Sequence, residues 1–150
     1  MGLEFHAWSS IDEPAASLLD AAEAHLIDLY GPRDSALRPE LFCPPDGGYL
    51  IGWEDGQAIA GGGFTRHDPT TAEIRRMYVA PSSRSRGVAR GLLAAIERAA
   101  FAAGYERAIL DTGPKQPHAE ALYRSAGFSE IDNYREGRSR GSFWGEKPLN

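Results

Sequence analysis

Apolar and polar residues alternate over residues 3 to 8, LEFHAW, which predicts a first strand. The period then lengthens. In EPAASLLDAAEAHLIDLYG, which follows Asp12, Leu18, Leu19, Ala22, Leu26 and Leu29 recur at helical spacing, with Pro14 in a first turn and Gly31 at the end. This predicts an amphipathic helix. Residues 31–48, GPRDSALRPELFCPPDGG, are turn-rich and read as a long connection holding one short helical piece. Two strand-like runs follow, YLIGWED and QAIAGGGFTR, split by Asp55-Gly56, a strong hairpin signal. TAEIRRMYVAP extends the meander by another strand, ending at Pro81.

The helix VARGLLAAIERAAFAAG sets Val88, Leu92, Ile96 and Ala99 on one stripe and stops at Gly104. RAILDTG is a short apolar strand, residues 117–126 a short helix ending at Gly127, and FSEIDNYREGRSRGSFWGEKPL two strands joined by a polar, basic loop. A meander feeding a crossover helix gives a mixed, mostly antiparallel α/β sheet with at least one parallel pair. No repeat, low-complexity tract or linker interrupts the pattern, so residues 1–150 are expected to form one domain.

Composition narrows the class. At 150 residues, 42% hydrophobic and 25% charged, the chain reads as an ordinary soluble globular protein. The net charge of −5 argues against nucleic acid as main partner and favours a cationic small substrate. A single cysteine, Cys43, allows no intramolecular disulfide and no cysteine-based zinc site. With no signal peptide and no long apolar run, the expected location is cytoplasmic, away from membranes. Met1-Gly2 opens like a myristoylation site, but His6 stands where Ser or Thr is required.

One stretch breaks the pattern of a plain core helix. SRSRGVARGLL, residues 83–93, gathers three arginines and two glycines where the helix begins. A helix N-terminus carries unsatisfied N–H groups and partial positive charge, Gly87 permits close approach, and Arg84, Arg86 and Arg90 add formal charge. A phosphate-binding loop and a solvated basic turn both fit. No Walker A sequence is present. Gly61-Gly62-Gly63 starts like a dinucleotide fingerprint, but Arg66 replaces its last glycine and a strand follows. The triplet is better explained by strand bulging or close backbone approach.

RSRGVA fits [QR]-x-x-G-x-[GA], with Arg84, Gly87 and Ala89 in the defining places, and in this the chain resembles the GNAT superfamily of N-acetyltransferases. AEIRRMYVAP before it resembles the family's fourth strand. LDTGPKQPHAEALYRSAGF after it resembles the fifth strand, the next helix and its turn. The resemblance runs from about Ile59 to Phe128, continues more loosely to the end, and covers the first third only in element order. It implies a GNAT-like sheet flanked by helices, with fourth and fifth strands splayed apart. It also implies acetyl-CoA as acyl donor: Ser85, Arg86, Gly87, Val88, Ala89 and Arg90 around the pyrophosphate, with Arg84 beside them, and Met77, Tyr78 and Val79 along the pantetheine arm.

Acetyl transfer to an amine needs a proton removed from an ammonium of pKa about 10.4, donors for a developing oxyanion and help for the departing thiolate. By resemblance Tyr123, in ALYRSAGF, is the proton donor; packing its ring in the core is the alternative. Gln116 resembles a residue touching pantetheine or phosphates, with helix capping as the competing role. Glu73 matches a fourth-strand carboxylate that some members use as base, often through water; pairing with Arg75 or Arg76 is the alternative. Alternation sets Glu73, Arg75, Met77 and Val79 on one face. A backbone N–H near Val79 would serve the oxyanion.

The remaining chemistry is thinner. His6, His25, His67 and His118 lack metal-ligand spacing, so no metal is expected. Cys43 has no base paired with it in sequence. Asp111-Thr112-Gly113 resembles the heart of an aspartic protease, but Gln-Pro and an amphipathic helix follow where such a protease continues into strands. The expected function is therefore N-acetyl transfer from acetyl-CoA to a primary amine by direct attack in a ternary complex. A non-catalytic acyl-CoA sensor or scaffold is the alternative. The expected acceptor is a small-molecule or protein amine, with a polyamine, aminoglycoside, amino-acid or protein amine favoured over an anionic compound, and a homodimer is left open. Trp8, Tyr30, Phe42, Tyr134 and Arg135 lie in the regions expected to select it.

Overall fold

The structure is a computed structural model and describes residues 2–32, 37–135 and 141–150. Part of the long connection (33–36) and of the basic tail loop (136–140) fall outside the described residues, as does Met1. Among the described residues seven strands form one sheet: β1 (Leu3–Ala7), β2 (Gly48–Glu54), β3 (Gln57–Asp68), β4 (Thr71–Val79), β5 (Arg107–Thr112), β6 (Ser129–Glu130) and β7 (Phe143–Pro148). Their spatial order is β1-β2-β3-β4-β5-β7-β6, and only β4 and β5 run parallel. The helices are α1 (Ala15–Tyr30), α2 (Val88–Ala102) and α3 (Pro117–Ser125), with a short 3₁₀ turn at Pro39–Phe42. Among the described residues no helix is long and apolar enough to cross a membrane.

Each face of the sheet has its own core. Leu92, Leu93, Ile96 and Ala100 of α2 pack with Phe64, Ile74, Leu110, Phe128 and Phe143 on one face. Ala15, Leu18 and Leu19 of α1 pack with Phe42, Tyr49 and Ile51 on the other. Each Leu or Ile side chain so buried is worth roughly 1.5–3 kcal/mol. Helix α1 begins at Ala15, directly after Pro14, and Glu13 Oε1 accepts from the Ser17 N–H of its first turn at 3.0 Å. The Gly61–Gly63 triplet is explained by crowding. A Cβ at Gly61 would overlap the Tyr49 hydroxyl, one at Gly62 would press on Met77, and one at Gly63 would strike Gly48 O.

A candidate acyl-transfer site where two strands part

Strands β4 and β5 pair only over Thr71–Glu73 against Arg107–Ile109. Beyond that point each follows a different neighbour, β3 for one and β7 for the other. Among the described residues no strand pairs with β4 on its β5 side beyond Glu73, so past that point this edge is not closed by a ladder, although Val79 O accepts from Arg84. The expected splay is present.

The register of β4 on β3 slips between Arg75 and Tyr78, where Arg76 and Met77 lie opposite the single residue Gly62. Arg76 takes φ +60°, and its guanidinium is tied to Glu23 of α1 at 3.0 Å. A bulge of this kind exchanges the faces of the residues beyond it. Met77 and Val79 therefore pack on the α2 side with Ala72 and Ile74, while Tyr78 packs on the α1 side. This corrects the expectation that Glu73, Arg75, Met77 and Val79 share a face: simple alternation ends at Arg76.

Tyr123 rises from α3 with its ring edge-on to Phe128, and its hydroxyl lies 3.8 Å from Met77 Sδ. Burial, and secondarily the charge of Asp111, push this phenol up to about 12. It keeps its proton at neutral pH. Gln116 does not cap α3 with its side chain; its Oε1 accepts from Tyr30 Oη at 3.2 Å and Thr112 Oγ1 at 3.3 Å. Tyr30 in turn accepts from the Lys115 N–H, and its ring lies against Gly113, where no Cβ would fit.

At the far end of β4 the chain turns into α2 through Ser85 (φ +68°) and Gly87 (φ +78°). The helix ladder starts with Gly91 N–H on Gly87 O, and no side chain caps it. The N–H groups of Val88, Ala89 and Arg90 thus stand outside the ladder, and a Cβ at Gly87 would meet nothing within 4 Å. The arginines are less available than their sequence positions suggest. Arg84 Nε donates to Val79 O at 2.8 Å, Arg86 forms a bidentate pair with Glu54, and Arg90 Nη2 donates to Ser125 Oγ at 2.6 Å.

Glu73 sits at the apex of the splay, buried, with both oxygens occupied. Arg135 Nη1 donates to Oε2 and Nη2 to Oε1, each at 2.7 Å; the Tyr134 hydroxyl lies 3.3 Å from Oε2 and Arg75 Nη1 3.8 Å from Oε1. Burial alone would push this carboxyl up, but the Arg135 hydrogen bonds, the two guanidinium charges and the Tyr134 hydroxyl together hold it below its ordinary value. Of the two roles open to Glu73, base or partner of an arginine, the geometry shows the pairing, with Arg75 as anticipated and with Arg135 in place of Arg76, which turns to Glu23.

Of the residues expected near the acceptor, Tyr134 and Arg135 reach this cluster and Tyr30 reaches Gln116. Phe42 is core, and Trp8 packs at a tilt against Trp53. Asp111, which in sequence stands only in a protease-like motif, carries a charge that raises the pKa of Tyr30, Tyr123, Tyr134 and Arg135. A charged residue inside the apolar strand RAILDT was the available signal.

The strands part beyond Glu73, and the chain leaves β4 for a helix that no side chain among the described residues caps. Residues 15–128 match the model of the Acetyltransferase (GNAT) family, and the chain belongs to that family. It is 30% identical over 144 residues to the IAA acetyltransferase of Azospirillum brasilense, covering 94% of each chain. Its fold is similar to that of an acyl-CoA N-acyltransferase structure from Klebsiella pneumoniae (TM-score 0.80, 25% identity, 99% and 98% of the two chains). It is also similar to a GNAT family acetyltransferase from Elizabethkingia anophelis with acetyl-CoA bound (TM-score 0.71, 20% identity, 98% of each chain).

Proposed function

We propose that this protein is an N-acetyltransferase that passes an acetyl group from acetyl-CoA directly to a primary amine, with donor and acceptor held together. The observation that carries the reading is the Tyr123 hydroxyl at the parted strands, beside Met77 Sδ. The residues present fit the donor. The amides from Ser85 to Arg90 and the open space over Gly87 suit a pyrophosphate, with Arg84 bracing the end of β4, and the edge past the ladder at Met77, Tyr78 and Val79 suits a pantetheine arm. Gln116, joined to Tyr30 and Thr112, borders the same region from α3. When bound, coenzyme A supplies the activated acetyl thioester.

The protein's own part is to orient, exclude water and hold a proton. Tyr123 stands at about 12, against about 8.5 for a thiol, so it lends a hydrogen bond to a departing sulfur more readily than it surrenders its proton. Glu73 serves as the anchor of Arg135, because its oxygens are spent and its basicity is lowered. The acceptor then enters as free amine, and kcat/KM climbs with pH toward the ammonium pKa of about 10.4. Cys43 lies by Ser10 Oγ, 3.6 Å away and next to the 3₁₀ turn, so no covalent step is assigned to it.

Incubation with acetyl-CoA and a panel of amines should release free thiol and add one acetyl mass to the acceptor. Tyr123→Phe should lower kcat by roughly 10²-fold or less, the low end for general-acid groups, with coenzyme A affinity retained. Wild-type kcat in that variant reduces Tyr123 to packing. Tight acetyl-CoA binding without turnover of any amine supports the sensor reading instead.

A further inference from the structure

A guanidinium has five N–H donors in one plane. Glu73 takes two of those on Arg135, one from each terminal nitrogen, which leaves Nε–H and one N–H on each Nη. The Arg135 side chain is 33% exposed and that of Glu73 only 3%, so the pair reaches solvent from the Arg135 side. A buried ion pair adds little net stability over an apolar replacement. What it does here is fix a planar fork in one orientation. Tyr134, immediately before Arg135, is held edge-on between Trp144 (4.7 Å) and His67 (5.5 Å), so the backbone carrying the fork is fixed as well.

The cluster sits where the ladder between β4 and β5 ends, Glu73 being its last paired residue on β4, and Met77, beside Tyr123, lies farther along the same strand. Asp111, on β5, acts electrostatically on both Arg135 and Tyr123. Arg75 Nη1 lies 3.8 Å from Oε1 of Glu73, the oxygen that also accepts from Arg135 Nη2. Two guanidiniums, Arg135 and Arg75, thus meet on the single Glu73 carboxylate where the strands part, leaving positive charge in excess at that point. Building on the acetyltransferase reading above, we propose that Arg135, held by Glu73, binds a carboxylate on the acceptor, so that the preferred acceptors are amines that also carry a carboxylate group. Planar, charge-assisted pairing is the interaction a guanidinium fork makes best. In this scheme Arg135 binds the acceptor and Glu73 is a positioning residue.

The test compares amino acids with the amines left on their decarboxylation, using wild type, Arg135→Met and Arg135→Lys. Wild type should favour the amino acid in kcat/KM by at least tenfold. In Arg135→Met that preference should collapse, mainly through a higher KM for the amino acid, with coenzyme A affinity as the control for folding. Arg135→Lys keeps the charge without the fork and should recover only part of the preference. Equal use of the two acceptor types by wild type, or the same fall for both in the variants, overturns the proposal. If no amine turns over, the acetyltransferase reading fails on its own. Calorimetry of N-acetylated amino acids against wild type and Arg135→Met with coenzyme A present still decides the carboxylate site: tenfold weaker binding supports it, and equal binding overturns it.

Discussion

A carboxylate does what its neighbours allow, and Glu73 has neighbours on both oxygens. Its pKa is lowered in the fold, so the ionised form contributes stability above its ordinary value of 4.5, and that contribution is lost as pH falls through the lower folded value. Glu73→Gln should therefore be destabilised by about 1–3 kcal/mol at pH 7 through the partly unpaired Arg135 and Arg75. The gap to wild type should narrow below pH 4.5 in denaturant titrations run at several pH values. A constant gap down to pH 2 would remove the ion pair as its cause. The same variant separates a base from an anchor: an anchor's loss leaves the alkaline climb of kcat/KM unchanged in shape, whereas a base's loss changes it. Local geometry also outweighs net charge here. The chain is acidic overall, but at physiological salt charges beyond about 8 Å are largely screened, so a fixed guanidinium governs what binds beside it.

Two local distortions give the elements their use. The bulge at Arg76 turns Met77 toward Tyr123 while leaving Glu73 and Arg75 on the opposite face, so one strand serves the donor and acceptor sides of the gap. The positive φ of Gly87 brings the chain into α2 with its first amides unspent. Valine there would carry a branched side chain into the open space over the loop and impose a left-handed backbone costing about 1–2 kcal/mol. Gly87→Val should weaken coenzyme A binding at least tenfold, about 1.4 kcal/mol, by calorimetry on protein whose circular dichroism is intact. Unchanged affinity would move the phosphate site elsewhere.

Across the whole molecule, the sheet is two blocks, β1 to β4 and β5 to β7, joined edge to edge by three residue pairs and by the helices packed beneath. A donor lying along the edge of β4 past Glu73 would bridge the place where the ladder stops. Ligand that binds only the folded state adds stability by mass action, about 2.7 kcal/mol at a hundredfold excess over Kd. For a chain of 150 residues this is a rise in Tm of roughly 5–10 °C. Thermal melts with coenzyme A should show that rise in wild type and little of it in Gly87→Val. No shift for wild type at saturating ligand would remove the donor site.

The sequence by itself determined the order of elements, the hairpin at Asp55-Gly56, the crossover helix with its parallel pair, and the glycine-led helix start, because these depend on period, turn chemistry and local backbone freedom. It also marked Tyr123 and Glu73 as residues to watch, through their resemblance to family positions. Tertiary structure alone decided what they touch. A one-residue bulge reverses the faces of Met77 and Val79, which strict alternation cannot express. Arg135 meets Glu73 across 62 positions, and Tyr30 meets Gln116 across 86, because strands and helices remote in sequence converge where the sheet parts. Period and spacing govern a residue's neighbours along one element. The partners that set a proton's affinity or a ligand's fit come from other elements, and only packing brings them together.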